Sequence, residues 1–123
     1  MRKFTIADLP EVNSWYRARN LPEVPAEALS LTGFIEPGVA AGWMYSTDSA
    51  IALCESYISN PEAAPVLRHH AMDEITAAII EEAKTHGFKW VIAYSTATDL
   101  NARGTEKHGF VVSKRATALV RSL

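Results

Sequence analysis

The sequence of 123 residues lacks several features that mark particular protein classes. It has one cysteine, Cys54, so it forms no disulfide within the chain and no zinc site made of several thiolates. It has no apolar run of the roughly 18 residues that a membrane span requires. Neither charge dominates, because 12 basic residues face 14 acidic ones for a net charge of −2. This balance gives no electrostatic reason to expect nucleic acid or a membrane as a partner.

The beginning of the sequence, MRKFTIADLPEV, carries charge but no apolar stretch of the kind found in a signal peptide. We therefore expect a cytoplasmic protein. The length suits one domain spanning residues 1–123, and a hydrophobic content of 48% is enough for a core.

Hydrophobic periodicity predicts alternating strands and helices. Asp8 and Glu11 form a capping-box-like pattern at the start of the first helix. A long helix is indicated by apolar residues at three- and four-residue spacing, and the apolar strand after it suggests a buried, central, parallel position. The predicted elements are strand 3–7, helix 9–20, strands 31–36, 41–47 and 50–57, helix 66–86, strand 89–95, helix 100–108 and strand 110–123. This order predicts an α/β fold with a mixed sheet: an antiparallel meander followed by a β-α-β crossover.

Three segments carry a family resemblance: EEAKTHGF (81–88), WVIAYS (90–95) and NARGTEKHGF (101–110). Their spacing and the element order resemble the Gcn5-related N-acetyltransferase (GNAT) family. The resemblance implies acetyl-coenzyme A (acetyl-CoA) as co-substrate. Its pantetheine would lie where the third meander strand and the strand after the long helix separate, and its pyrophosphate at the start of the long helix.

The same resemblance implies a set of coenzyme-binding residues. Tyr57 and Ile58 fall at the strand separation, and Asn101 matches an Asn at the start of the last helix that contacts coenzyme or caps the helix. Counting back from Gly87 places the family's Gln/Arg-x-x-Gly-x-Gly/Ala loop at 67–72, LRHHAM, which has no glycine. There Arg68, His69 and His70 are the candidates for holding an anion.

The catalytic candidates are Glu55, Tyr94 and Thr105. Thr105 occupies the position where the family often has an acidic Tyr, but a Thr hydroxyl is far too weak an acid for that role. Tyr94 and Tyr57 are possible replacements. Glu55 is a candidate base for the amine if burial raises its pKa, and otherwise is an outward-facing strand residue.

Other reactive side chains have simpler interpretations. His69 and His70 are adjacent, so they point about 100° apart on a helix and do not form a metal-ligand pair; no metal site is predicted. Cys54 is expected to be a small buried residue. The aromatic residues are expected to anchor the core: Trp15, Tyr16, Trp43 and Trp90.

The sequence thus supports two functions. The first is transfer of an acetyl group from acetyl-CoA to an amine, carried by a small molecule or a protein, which enters between residues 20–31 and the C-terminal strands. Because few residues follow Phe110, a second subunit of a homodimer is expected to complete that wall. The alternative is a catalytically inactive GNAT-fold protein that acts in binding or interaction. We expect an acyltransferase.

Overall fold

The computed structural model describes residues 1–95, 98–113, 117 and 119–123, with the backbone alone for 98–100. The chain divides into two compact units, Met1–Ala93 and Tyr94–Leu123. The prediction of a single domain over residues 1–123 stays a prediction. The helices and strands of the first unit are β1 (Arg2–Lys3), α1 (Leu9–Ala18), β2 (Thr32–Glu36), β3 (Ala40–Tyr45), β4 (Ile51–Ser59), α2 (Pro65–Thr85) and β5 (Trp90–Ala93); the second unit has α3 (Thr98–Lys107).

The strands of the first unit form one mixed sheet in the order β1-β2-β3-β4-β5. The first four strands pair antiparallel, and β5 pairs parallel with β4 after the α2 crossover. This arrangement confirms the predicted α/β class, the meander and the β-α-β crossover.

The two faces of the sheet bury separate apolar clusters. Because side chains alternate along a strand, neighbouring residues of β3 belong to different clusters. One face packs against α2 and buries Phe34, Ala40, Met44, Ala52, Cys54, Ala71, Ile75, Ile79 and Ala83. The other packs against α1 and buries Val12, Trp15, Tyr16, Ile35, Ala41, Trp43 and Ile58. These are called the α2 face and the α1 face below.

The approach to α1 differs from the prediction. The predicted strand 3–7 is limited to β1, and the chain turns into a short 3₁₀ helix at Ile6–Asp8. The carboxylate of Asp8 accepts hydrogen bonds from the Thr5 N–H at 2.8 Å and from the two terminal nitrogens of the Arg2 guanidinium, Nη2 and Nη1, at 2.7 and 2.8 Å. Asp8 therefore fixes this turn and makes no capping bond to α1. Glu11 accepts the N–H of Gly38 instead, at 2.8 Å.

Three expectations for the C-terminal third are wrong for the described residues. There β5 is an end strand, and Trp90 is 62% exposed, so neither the central position nor the core role of Trp90 holds. The described part of 110–123 contains no strand, although residues 114–116 and 118 of that prediction lie outside the described residues. A strand-like pattern reflects the preferences of the side chains. A strand forms only where a neighbouring strand accepts and donates the backbone hydrogen bonds.

Candidate functional site

The pairing of β4 with β5 stops halfway along β4. The last parallel pair is Cys54 with Ala93. Beyond it β4 continues through Glu55–Ser59, where β3 is its partner among the described residues. Among the described residues no strand pairs with the other edge of this five-residue segment. The predicted separation of the two strands falls at this point.

A β-bulge interrupts β4 in the same segment. The register changes from Trp43–Glu55 to Ala41–Ile58, so Ser56 and Tyr57 both lie opposite a single β3 residue, Gly42. Ser56 has a φ of 64°, in the left-handed region that is uncommon for residues other than glycine. The bulge was missed at the sequence level, because the alternation was continued through it.

The bulge turns Tyr57 onto the α2 face, the same face as Cys54. The Tyr57 hydroxyl lies 2.8 Å from the Cys54 Sγ and 3.0 Å from the Thr76 hydroxyl, which donates to the Met72 carbonyl at 2.8 Å. Since a carbonyl only accepts, the donors run in one direction: the Cys54 thiol to Tyr57, Tyr57 to Thr76, and Thr76 to Met72. This hydrogen-bond chain joins the bulge to the interior of α2.

Burial and these hydrogen bonds determine the protonation of Cys54 and Tyr57. Burial raises the pKa of Cys54 to about 12 and raises that of Tyr57 well above its ordinary value. Both groups stay protonated near neutrality. Cys54 is 3% exposed, in agreement with the expected small buried residue. The geometry argues against the Tyr57 phenol as the general acid, because its proton is given to Thr76.

The α1 face holds the same part of β4 with polar side chains. Tyr16 donates to the Ser56 carbonyl at 2.9 Å. Arg19 donates to the carbonyl and the hydroxyl of Ser59, both at 2.8 Å. Burial, helped by the nearby Tyr45, raises the pKa of Tyr16 to about 12, so this donor stays protonated. The half of β4 beyond its last pair with β5 is therefore held by α1 as well as by β3.

Glu55 and Ile58 also lie in this segment. Glu55 is directly opposite Trp43, and directly paired residues share a face, so Glu55 lies on the α1 face and is half-buried. The Ile58 side chain is 4% exposed within the α1-side cluster, which leaves its main chain as the part able to contact a ligand.

The start of α2 contradicts the predicted loop at 67–72. The helix begins at Pro65, a residue well suited to the first helical position, so LRHHAM is already helical. Pro65 has no N–H, and the Leu67 N–H donates to the Ala64 carbonyl at 3.0 Å, beside the ordinary first helical bond from Arg68 to the same carbonyl at 3.1 Å. Fewer donors therefore face outward than at a typical helix start, which weakens this end as a pyrophosphate site.

The three basic candidates on α2 have different surroundings. Arg68 is half-buried and its guanidinium turns back to the Pro61 carbonyl, at 3.4 Å, so it lies beside the connector that precedes the helix. His70 is exposed and its ring lies 3.2 Å from the Glu74 carboxylate. His69 is exposed as well. Of the three, Arg68 is placed nearest to the start of α2.

The second unit carries the other three candidates. Tyr94 is 56% exposed. Because α3 begins at Thr98, Asn101 lies within the helix and is not its cap; its amide is 3.5 Å from the Ser95 carbonyl. The Thr105 hydroxyl donates to the Ala102 carbonyl at 3.0 Å. In this arrangement its proton is committed to the helix.

The described residues contain no group of three or more His, Cys, Asp and Glu side chains arranged to hold a metal ion. Within the same part of the chain, no helix combines the length and the apolar character needed to cross a bilayer.

The structure thus brings together Glu55, Tyr57 and Ile58 in the bulged half of β4. Sequence reasoning missed the residues that hold this segment: Tyr16, Arg19, Tyr45, Ser56 and Thr76. No local signal marks the bulge, because strict alternation places Cys54 and Tyr57, three residues apart, on opposite faces.

Comparison with known proteins gives the fold. No family model matches the chain, and no curated protein matches it. A solved structure from Agrobacterium tumefaciens str. C58, assigned as an acetyltransferase, is similar with a TM-score of 0.68 at 18% identity, over 98% of each chain. A Trypanosoma brucei acetyltransferase is similar with a TM-score of 0.65 at 14% identity, over 98% of this chain and 97% of that one. The chain therefore has the fold of these acetyltransferases.

Proposed function

We propose that this protein binds acetyl-CoA along the free edge of β4 and transfers the acetyl group to an amine. The observation that carries the proposal is the end of β4–β5 pairing at Cys54–Ala93, beyond which β4 continues for five residues that contain the bulge. An extended pantetheine suits such an edge, because main-chain groups left unpaired by one strand bond to another extended chain. The acetyltransferase fold of the two similar structures supports it.

In the proposed reaction the amine nitrogen attacks the thioester carbonyl carbon. The new C–N bond forms, the C–S bond breaks, and the electron pair leaves with the coenzyme A thiolate. The nitrogen loses its extra proton to Glu55, directly or through water. Glu55 suits this role by position, since it lies on the α1 face at the bulge. Among the tyrosine candidates for the acid, the geometry disfavours Tyr57, whose proton is donated to Thr76.

The start of α2 makes coenzyme recognition unequal along the ligand. The strand edge is prepared for pantetheine, but the helix start offers few outward N–H groups. Arg68 is the side chain best placed to hold the pyrophosphate there. Most of the binding energy is therefore expected from the pantetheine end.

A second candidate is a binding protein that keeps the fold without catalysis. The glycine-free, helical start of α2 favours it, as does the Thr105 hydroxyl bonded to Ala102. The acetyltransferase proposal further expects an amine acceptor and a homodimer whose second subunit completes the wall of the acceptor site.

Thermal unfolding with two ligands separates these possibilities. Acetyl-CoA at ten times its Kd should stabilise the native state by about 1.4 kcal/mol, a rise of about 5 °C in Tm. Acetyl-pantetheine, which lacks the nucleotide, should retain much of this effect. Arg68→Ala should reduce the rise in Tm caused by acetyl-CoA but not the rise caused by acetyl-pantetheine. Lys84→Ala, near the other end of α2, is the matched control.

The outcomes are distinct. No shift with millimolar acetyl-CoA contradicts coenzyme binding. Mass spectrometry after incubation with a mixed panel of amines detects any acetylated product. A Tm shift without such a product favours the binding protein. A shift together with an acetylated product supports the transferase.

A further inference from the structure

Tyr45 is the side chain that joins two parts of the α1 side of the molecule. Its hydroxyl lies 3.2 Å from the Ala28 carbonyl, to which it donates, and 3.3 Å from the Ser56 hydroxyl. Because the single phenolic proton goes to Ala28, Ser56 is the donor in the second bond. One phenol therefore connects the segment before β2 with the bulge of β4.

The segment before β2, residues 24–31, is held at a second point. The Asn13 amide pairs with the main chain of Val24, accepting its N–H at 2.8 Å and donating to its carbonyl at 3.1 Å. Part of the segment lines a cavity of about 130 Å³ together with Phe4 and Ile6. This cavity is on the side where the acceptor amine is expected to enter. We name residues 24–31 the acceptor-side segment.

The bulge needs support, because a non-glycine residue at positive φ is strained. A residue in this region costs on the order of 1 kcal/mol and persists only when its surroundings hold it. Ser56 has such supports on two groups: Tyr16 bonds its carbonyl and Tyr45 its hydroxyl. Of these two tyrosines, Tyr45 is also bonded to the acceptor-side segment.

We propose that Tyr45 is a positioning residue that couples the acceptor-side segment to the β4 bulge, so that coenzyme bound at the bulge also orders the acceptor side. The structural tie stands on the contacts of Tyr45 alone. Its part in ordering by coenzyme rests on the proposed function. Without Tyr45 the two parts remain linked only indirectly, through α1, which bonds the bulge by Tyr16 and the segment by Asn13.

Hydrogen–deuterium exchange of the full chain tests the tie without any ligand. Tyr45→Phe should accelerate exchange by roughly 2- to 10-fold in both 24–31 and 55–59, the range expected for one lost hydrogen bond in each. Tyr16→Phe is the matched comparison: it breaks a bond to Ser56 but leaves Ala28 tied, so 55–59 should accelerate while 24–31 does not. Ser56→Ala should reproduce the bulge part of the Tyr45→Phe effect alone, and combining the two should add nothing there.

The same measurement with acetyl-CoA tests the coupling. In the wild type, saturating coenzyme should slow exchange in both 55–59 and 24–31. In Tyr45→Phe it should slow only 55–59, a result that a merely stabilising role of Tyr45 does not produce.

Each outcome decides a separate point. Acceleration confined to one of the two segments in ligand-free Tyr45→Phe overturns the tie. Protection of 55–59 without 24–31 in the wild type overturns the coupling. If acetyl-CoA protects neither segment in the wild type, the proposed coenzyme binding is wrong, and so is the ordering role of Tyr45. The comparison without ligand still decides whether Tyr45 ties the two segments together.

Discussion

Both faces of the sheet pack an aromatic ring over a glycine of the neighbouring strand. On the α1 face Trp43 lies over Gly33, and on the α2 face Tyr57 lies over Gly42. The faces differ in their polar atoms. The Tyr57 hydroxyl is bonded to Cys54 and Thr76, whereas the Trp43 Nε1 is buried with no hydrogen-bond partner among the described residues. Hydrogen bonds thus fix one ring, and packing, including an edge contact with Phe4, fixes the other.

Alanine at the two glycines gives the largest expected effects. An added Cβ at Gly33 would lie 2.3 Å from the Trp43 ring, and one at Gly42 would lie 2.8 Å from the Tyr57 ring. We expect Gly33→Ala to lower the free energy of unfolding by about 3 kcal/mol and Gly42→Ala by about 2 kcal/mol, as for overpacked cores. Urea unfolding measures both. If Gly33→Ala unfolds like the wild type, the tryptophan is not held in place as described.

Removing one hydroxyl from the α2 face should have a smaller effect. Thr76→Val leaves the Tyr57 proton without its acceptor, and we expect a loss of about 1 to 2 kcal/mol. Thr85→Val is a close control, because Thr85 also donates to a carbonyl four residues back, Glu81, but is exposed. Equal losses in the free energy of unfolding for the two variants, measured in urea, would show that the hydrogen bond between Tyr57 and Thr76 contributes nothing to stability.

The smallest expected effect is a pH-dependent loss of stability at the turn before α1. The Arg2 guanidinium holds the pKa of Asp8, before α1, at about 2, below its usual 3.8. A lowered carboxyl pKa stabilises the native state above about pH 4, and this contribution is lost as the pH falls through about 2. Asp8→Asn should cost about 1 kcal/mol at neutral pH, and the difference from wild type should shrink between about pH 4 and pH 2. A constant difference over that range would exclude the Arg2–Asp8 pair as its source.

The periodic parts of the fold were predictable because they depend on local patterns. Ile75, Ile79 and Ala83 mark the buried side of α2, and the bounds of that helix are within one residue of prediction. The meander follows from short strands and the Pro37-Gly38 turn. Such signals survive into the structure because the same spacing that creates a pattern also creates the buried face.

The site was less predictable, because its geometry depends on contacts distant in sequence. Ser56 accepts a hydrogen bond from Tyr16, 40 residues earlier, and no local pattern encodes this. The family loop that the resemblance placed at 67–72 is absent for a different reason. LRHHAM lies inside the helix that periodicity predicts over 66–86, and the structure starts that helix at Pro65.

The hydrogen-bond chain under the bulge also gives the molecule a built-in probe of its own motion. Cys54 is the single cysteine, is 3% exposed and has a pKa raised to about 12. A thiol reagent reacts with a thiolate, so it reaches Cys54 only when the α2 face opens and breaks the bond to Tyr57. The rate of labelling in native protein therefore reports how often α2 separates from the sheet, with no substitution in the chain.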